Sequence, residues 1–324
     1  MNAQTHRTTA ITTFCIVAAG SILFCSKSVV AKLAYAHGAD ALTMLTLRMA
    51  FALPFFALIG FVFSRGQEKL TGSDWLKLTG LGFIGYYFSS LVNFSGLQYV
   101  SAGLERIILY TYPTMVLVML SVAFRKHIRP AMWAWSGVAW IGIVLAFTGE
   151  MHAPRSSSVV LGAVLIFASA VSYALFIVIA GDTIRRFGAM RFTGIAIGIS
   201  CVMMLTHYII VRSPAELTRL PGRVYVEGII LAIFGTVLPS ILMSIGLQRA
   251  GSQRFAIVSS VGPVTTMLLA WALLAEKPNL AIVVGFVFTL AGGLAVTLLK
   301  DAPTKSKPSP AESAALDSAG SAQR

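Results

Sequence analysis

Charged side chains are scarce in this chain. Only 11% of its 324 residues are Asp, Glu, Lys or Arg, whereas 56% are hydrophobic, and the mean hydropathy is +0.80. Ordinary soluble domains carry about 25% charged residues, so this composition excludes that class and indicates a membrane protein. The charge that remains is mostly basic, with a formal net charge of +13. We interpret that excess as contact with the anionic surface of the lipid bilayer and expect no nucleic-acid partner.

Cysteine is also rare, and motifs for covalent or metal chemistry are missing. Cys15, Cys25 and Cys201 lie in apolar stretches without the spacing of a disulfide framework or a ligand set. The sequence contains no metal-ligand cluster, no nucleophile elbow and no Walker motif. These absences argue against an enzyme, a metal site, a cofactor and ATP as a source of energy.

Long apolar stretches, by contrast, recur along the whole chain. A membrane-spanning helix needs about 20 apolar residues, and continuous apolar runs favour helices over the alternating pattern of a β-barrel. The sequence therefore predicts an all-α polytopic membrane protein with ten transmembrane helices. Their expected ranges are 10–35, 41–63, 78–97, 104–124, 131–149, 158–181, 192–212, 227–246, 255–275 and 279–299.

The two halves of the chain repeat each other at a constant offset of 150 residues. Gly96-Leu97-Gln98 recurs as Gly246-Leu247-Gln248, and Pro113 recurs as Pro263. Because each half holds an odd number of spans, the second copy must enter the bilayer upside down, and the seam near the midplane becomes a candidate binding site. We predict two inverted five-helix repeats, at 9–150 and 157–299. A disordered cytoplasmic tail is expected at 300–324, where apolar periodicity is lacking.

Basic residues set the expected orientation of the chain. With a cytoplasmic N-terminus, sixteen Lys and Arg residues fall in cytoplasmic segments and five in outer segments, as the positive-inside rule requires. The outer segment with Arg212, Arg219 and Arg223 is the exception. We expect a multi-pass protein of the cell (inner) membrane with both termini in the cytoplasm.

The order of short motifs in the two halves resembles a known family. Gln98-Tyr99-Val100-Ser101-Ala102 is followed by Pro113 in the next helix, and the second half has Pro263, Glu276 and Gly292-Gly293 in corresponding order. This pattern is similar to that of the EamA-type transporters of the drug/metabolite transporter (DMT) superfamily. The resemblance implies ten helices in two inverted repeats, a central cavity, and secondary export or exchange of small metabolites such as amino acids. The family often has a Glu after both the fourth and the ninth helix, but the first-half position here is Lys126.

Ionisable side chains inside the predicted spans are the first functional candidates, because a charge near the bilayer centre costs at least about 2.5 to 3.5 kcal/mol. They are Lys27, Lys32, Arg48, Glu105, Arg106 and His207. Lys32 is near the outer end of its helix and is expected to snorkel to water. Arg48 needs a partner, and Glu105 is the best one available. Arg48 then either fixes two helices together or receives a substrate carboxylate.

The fourth predicted helix carries most of the remaining candidates. Glu105 and Tyr112 share one face, and Arg106, Tyr110 and Pro113 form the adjacent strip. Two polar strips on one helix require a cavity, and Glu105 is the plausible proton carrier if transport is coupled to protons. Both Pro113 and its equivalent are expected to kink their helices, which shapes either the cavity or only the packing. The other predicted substrate-binding and kink residues are Asn93, Tyr173, His207, Ser260 and Pro263.

The sequence thus predicts a secondary transporter for a small polar, amino-acid-like metabolite, which works by alternating access and is driven by a gradient of substrate, counter-substrate or protons. Arg48 or Arg106 would meet an anionic group, and Tyr110 and Tyr112 would hold the apolar part. Two alternatives stay open at this point. The first is efflux of cationic or aromatic drugs, which would depend on the tyrosines and Glu105. The second is a structural membrane subunit without transport. The sequence also leaves open a homodimer and the direction of transport.

Overall fold

The computed structural model is largely helical in the part of the chain that it describes, and it has no strand there. It describes residues 3–123, 125, 128–151, 158–276 and 280–300, with the side chains of these ranges apart from those of residues 3–10, 247–248, 251–254, 256 and 300. Beyond Lys300, the predicted tail lies outside the described residues, and so does Lys126.

The described residues form thirteen α-helices, joined in places by irregular helical segments. In chain order the helices are α1 (Ala3–Ala36), α2 (Ala41–Val62), α3 (Gly72–Gly82), α4 (Ser89–Leu97), α5 (Ala102–Leu109), α6 (Tyr112–Val122), α7 (Pro130–Met151), α8 (Val159–Phe187), α9 (Ala189–Val211), α10 (Gly222–Ala232), α11 (Leu238–Ser259), α12 (Val261–Leu274) and α13 (Leu280–Lys300). A first π segment, Phe83–Phe88, joins α3 to α4, and a second, Ile233–Val237, joins α10 to α11.

Nine stretches within the described helices are long and apolar enough to cross a membrane, by length and composition. They match all of the predicted spans except the third, 78–97. That stretch is helical too, since α3, the first π segment and α4 follow one another from Gly72 to Leu97. It is less apolar because it carries Tyr86, Tyr87 and Asn93 along with several serines. The protein is therefore an all-α polytopic membrane protein, as the sequence predicted.

One predicted loop is helical instead. α11 continues from Leu238 to Ser259 through the segment around Arg249, where we expected a turn between the eighth and ninth spans. Leu, Gln, Arg and Ala at 247–250 all favour helices, and no proline interrupts them. In the first half the equivalent segment does leave the helix, and Ser101 caps the start of α5 by accepting a hydrogen bond from the Leu104 N–H.

The helical irregularities recur at the same offset as the sequence motifs. The two π segments begin at Phe83 and Ile233, and the breaks that precede α6 and α12 fall at Tyr110 and Ser260. π segments are uncommon and cluster at functional sites. The duplication therefore extends from short motifs to local backbone geometry.

Equivalent helices of the two halves pack against each other and run in opposite directions. α2 and α9 form one such pair: Gly60 meets Gly194, Met49 meets Cys201, and Asp40 near the start of α2 pairs with Arg212 after the end of α9. An antiparallel pairing of equivalent helices is the geometry that inverted repeats require. The inverted arrangement remains a prediction, which this pairing supports.

The other equivalent pair, α7 and α13, packs through glycines. A Cβ on Gly142 would overlap the Gly285 carbonyl oxygen, and a Cβ on Gly292 would come within 2.6 Å of the Trp135 carbonyl oxygen. Small residues allow such a close approach of two backbones, which is how helices associate where lipid removes most of the hydrophobic driving force.

We predict that Gly142→Ala destabilises the folded protein, because the new methyl group forces α7 and α13 apart. Overpacking of this kind costs about 1 to 3 kcal/mol, which a melting curve of the detergent-solubilised protein would detect as a lower transition temperature. Gly137→Ala on the same helix is the matched control, since a Cβ there meets no atom within 4 Å. Equal transition temperatures for the two variants would contradict the proposed contact.

Candidate functional site

A buried carboxylate organises the centre of the molecule. Glu105, in the first turn of α5, has no accessible surface. Its Oε2 accepts a hydrogen bond from the Ser28 hydroxyl of α1 at 2.9 Å, and its Oε1 accepts one from the Asn93 Nδ2 of α4 at 3.0 Å. Three helices therefore meet at this side chain, and both of its oxygens are occupied.

Arg106 is the cation that pairs with this carboxylate. Its Nε lies 3.5 Å from Glu105 Oε2, and its Nη2 donates to the Ser28 hydroxyl at 2.7 Å and to the Cys25 carbonyl at 3.4 Å. Ser28 thus donates to the carboxylate and accepts from the guanidinium. The Arg106 Nε makes no hydrogen bond among the described residues, so attraction between the two charges holds the pair, and removal of either charge would leave the other buried and unpaired.

Arg48 is not the partner of Glu105, which corrects the pairing expected from the sequence. Among the described residues no ion pair joins Arg48 to a carboxylate. Its Nη2 donates to the Ser90 hydroxyl at 3.1 Å, and the guanidinium lies 4.8 Å from the centre of the Phe94 ring. The Asn93 side chain of α4 donates a hydrogen bond to Glu105 Oε1 instead. Arg48 is 4% exposed, and its Nε lacks a hydrogen-bond partner within the described chain.

Lys27 adds a third basic side chain to the centre. Its Nζ lies 4.5 Å from the centre of the Phe24 ring, within electrostatic range of Arg106, Glu105 and Arg48. Its stem packs beside Gly235 in the second π segment. Within the described residues Lys27 makes no ion pair of its own.

The centre therefore holds an excess of positive charge. Lys27 lies within electrostatic range of Arg48 and Arg106, and among the described residues Glu105, the partner of Arg106, is the acidic side chain close to them. A buried cation without a counter-charge is costly in a medium of low dielectric. The arrangement is thus suited to a ligand that brings an anionic group to Arg48 and Lys27.

An aromatic wall lies beside this charged centre. Tyr110 and Tyr112 make an edge contact at 6.3 Å between ring centres, and Tyr112 does the same with Tyr173 of α8 at 5.7 Å. Tyr110 interacts electrostatically with Arg106, so the wall adjoins the cluster. Tyr173 keeps 36% of its surface accessible. The wall is therefore partly open at Tyr173.

The two predicted kink prolines lie just after breaks in their helices. Pro113 is in the first turn of α6 and Pro263 in the first turn of α12, and each ring would clash with the carbonyl four residues earlier. In the second half that carbonyl belongs to Ser259, which accepts a hydrogen bond from the Ser21 hydroxyl at 2.6 Å. This carbonyl therefore joins two helices and is already occupied.

Hydrogen bonds tie four helices together at the predicted outer end. Lys32 donates to Glu276 Oε1 at 2.8 Å and to the Val100 carbonyl at 2.6 Å, so it pairs with a carboxylate instead of snorkelling to water as expected. Glu276 also accepts from the Ala102 N–H at 3.0 Å, and Glu150 accepts from both the N–H and the hydroxyl of Ser101 at 2.8 Å. Two carboxylates thus hold the start of α5, where the helix dipole favours negative charge.

We predict that Lys32→Met loosens this outer end. The partly buried ion pair contributes about 1.4 kcal/mol, so its loss shifts the equilibrium between the closed and the open outer end about tenfold towards the open form. The buried Cys25 thiol, about two turns deeper on α1, then serves as a native reporter. With Cys15 and Cys201 replaced by Ser, its rate of modification by a membrane-impermeant maleimide from the outer side should rise about tenfold, and Lys32→Arg should change it little. An unchanged rate in Lys32→Met would contradict the role of this tie.

The EamA-like transporter family model matches this chain twice, over residues 11–148 and 160–298. The chain belongs to this family. Among its relatives, the uncharacterized transporter YcbK of Bacillus subtilis is 31% identical over 290 residues, which cover 87% of this chain and 92% of YcbK. An uncharacterized transporter of Archaeoglobus fulgidus is 25% identical over 90% of this chain and 96% of its own. One solved crystal structure has the same fold, with a TM-score of 0.59 at 18% identity over 90% of this chain and 99% of the other.

As a member of the EamA-like family, the protein is a multi-pass membrane transporter. Two residues predicted for its site lie apart from the central cluster. His207 of α9 is bonded through Nδ1 to the Tyr87 hydroxyl at 2.8 Å, in a cavity at the side of the molecule. Ser260 lies at the break before α12, where its hydroxyl donates to the Ile257 carbonyl at 2.6 Å. Among the described residues, neither side chain forms a hydrogen bond to Arg48, Glu105 or Arg106.

Two members of the central site were not among the predicted substrate-binding residues. Lys27 was noted as a charge inside the membrane, yet its distance from Arg48 and Arg106 depends on the packing of α1, which no spacing in the sequence gives. Ser28 carries no sequence signal at all, although it bridges Glu105 and Arg106. The described residues contain no group of three His, Cys, Asp or Glu side chains that could hold a metal ion.

Proposed function

We propose that this transporter exports or exchanges a small polar metabolite that carries a carboxylate, with amino-acid-like compounds as the leading class. The observation that carries the proposal is Arg48, a buried guanidinium that has no carboxylate partner among the described residues and lies in a cluster with excess positive charge. An arginine can hold a carboxylate through two parallel hydrogen bonds. Lys27 would add a second charge to the same group.

The aromatic wall suits the rest of such a molecule. Tyr110, Tyr112 and Tyr173 offer ring faces and edges to an apolar side chain, and a ring face also attracts an ammonium group. A cationic drug would have to enter beside three basic side chains. Glu105, which was expected to receive such a cation, is already paired with Arg106. The charge distribution therefore favours the carboxylate over the cationic-drug alternative.

Transport would proceed by alternating access between the two repeats. In the proposed orientation the protein lies in the inner membrane with both termini in the cytoplasm. The hydrogen bonds of Lys32, Glu150 and Glu276 then close its outer end. The gradient that drives transport is that of the substrate, a counter-substrate or protons. Because both oxygens of Glu105 accept hydrogen bonds, we assign this residue a structural role in the site. Flux with an imposed pH gradient tests whether transport is coupled to protons.

The test is flux in sealed vesicles that contain the purified protein. A labelled panel of amino acids, other carboxylates and cationic dyes is followed in both directions, with and without an imposed pH gradient. Saturable flux of a carboxylate supports the proposal, and acceleration by the pH gradient would add proton coupling. Flux confined to cationic dyes would overturn it in favour of drug efflux. Well-folded protein without flux across the panel would favour a structural subunit.

A further inference from the structure

A large cavity lies at the side of the molecule, away from the charged centre. It has a volume of about 1280 Å³ and is lined by α2, α3, the first π segment and α9. Along α9 it extends from Arg191 to Ile210, which is about 28 Å at 1.5 Å per residue. That length is close to the roughly 30 Å thickness of the hydrocarbon core of a bilayer.

This cavity opens towards lipid. Its lining includes Phe61, Trp75, Val202 and Ile210, and these large apolar side chains are 49% to 78% exposed. In a membrane-spanning bundle, exposed apolar side chains on the outside face acyl chains. Midway along α9, Gly198 leaves open space, since a Cβ there would meet no atom within 4 Å. The cavity is therefore a groove, which we call the lateral groove, with walls suited to a hydrocarbon chain.

A basic side chain lies at one end of the lateral groove. Arg191 is 6% exposed, its Nε donates to the Ser64 hydroxyl at 3.2 Å, and its Nη2 donates to the Glu68 carbonyl at 2.8 Å. Both acceptors are neutral, and among the described residues Arg191 forms no ion pair. The nearby Arg186 differs, because it pairs with Asp74 at 2.7 Å. Arg191 is thus a buried guanidinium without a counter-charge at the mouth of an apolar groove.

We propose that the lateral groove binds an anionic phospholipid of the predicted cytoplasmic leaflet. The phosphate would lie at Arg191, and an acyl chain would run along α9 past Gly198 towards Val202, about 16 Å away, which is close to half the thickness of the hydrocarbon core. Arginine is the side chain best suited to hold a phosphate through paired hydrogen bonds. Glu68 and Lys69 line the same end of the groove, and their opposite charges cancel. The positive charge of Arg191 therefore makes this end favour an anion.

A lipid fits this site better than a soluble anion does. The groove opens sideways, and its walls beyond Arg191 are apolar over the length of one leaflet. A free phosphate would leave that apolar surface unfilled. This lipid site is separate from the central site, and it stands whether or not the carboxylate proposal holds.

Native mass spectrometry of the delipidated, purified protein tests the proposal. The probes are phosphatidylglycerol and phosphatidylcholine with identical acyl chains, together with glycerol phosphate as a soluble competitor. We expect the wild type to retain one phosphatidylglycerol about tenfold more tightly than phosphatidylcholine, as one charge-assisted contact allows. Arg191→Gln should abolish this preference, and Arg191→Lys should keep most of it. Gly198→Leu should weaken the retention of both lipids by filling the groove.

Two variants serve as matched controls. Arg185→Gln removes an exposed arginine of the same end of the molecule, and Gly137→Leu adds a side chain in open space on another helix, so both should bind lipid as the wild type does. Equal retention of the two lipids by the wild type would overturn the proposal. So would an unchanged preference in Arg191→Gln, or displacement of the lipid by glycerol phosphate at equal concentration. If Arg191→Gln fails to fold, Gly198→Leu decides, and undiminished lipid binding by that variant would overturn the proposal.

Discussion

Glu105→Gln is expected to lower the free energy of unfolding by about 3 to 5 kcal/mol, the usual cost of breaking a buried ion pair. The amide keeps the size of the side chain but removes its charge, so Arg106 is left buried and without a counter-charge. The amide also brings hydrogens towards Ser28 and Asn93, which both donate to this position. Folded yield in detergent and the melting temperature are the measurements.

The matched control for this variant is Glu216→Gln. Glu216 also pairs with an arginine, but its side chain is 52% exposed and the distance to Arg212 is 3.5 Å, so we expect a change near zero to 1 kcal/mol. If Glu105→Gln folds as well as the wild type and loses only its response to a pH gradient, the structural role is wrong and Glu105 carries protons.

Arg48→Gln is expected to have the opposite profile, with normal folding and strongly reduced transport. The change removes a buried charge that has no acidic partner in the described chain, so the melting temperature should stay the same or rise. A hydrogen bond to a charged group contributes about 1.5 to 3 kcal/mol. Carboxylate flux should therefore fall about 10- to 100-fold.

Two further variants make this result specific. Arg48→Lys keeps the charge but loses the paired hydrogen bonds, so it should restore only part of the flux. Lys27→Gln should reduce flux less than Arg48→Gln, because Lys27 acts as a single charge and already lies against the Phe24 ring. Normal carboxylate flux in Arg48→Gln would remove Arg48 from the binding site and leave it as a helix contact.

Much of the fold follows from local properties that a sequence displays directly. Continuous apolar runs predicted the helices, because lipid requires every backbone group to bond within its own segment. The third span was visible as a helix, even though Tyr86, Tyr87 and Asn93 make it less apolar than the rest. The helical segment around Arg249 was missed because a basic stretch at a membrane surface is compatible with both a turn and a continuing helix.

The site could be predicted only in part, because its contacts join side chains far apart in the chain. Charge inside a span singled out Arg48, Glu105 and Arg106, but not which cation would reach the carboxylate. That choice depends on Ser28 and Asn93, which bring α1 and α4 to Glu105. The lateral groove depends on the packing of α2 against α9, which no single motif gives.

The most direct test of a carboxylate-binding centre is the melting temperature of the purified protein with matched pairs of ligands, each an amino acid and its carboxamide. A ligand that binds the folded state raises its stability in proportion to the logarithm of its concentration over the dissociation constant. We predict that the ligands that raise the melting temperature are acids, that their amides do not, and that Arg48→Gln abolishes the difference. Stabilisation by amides or simple amines as strong as that by the acids, or an undiminished effect in Arg48→Gln, would contradict the account.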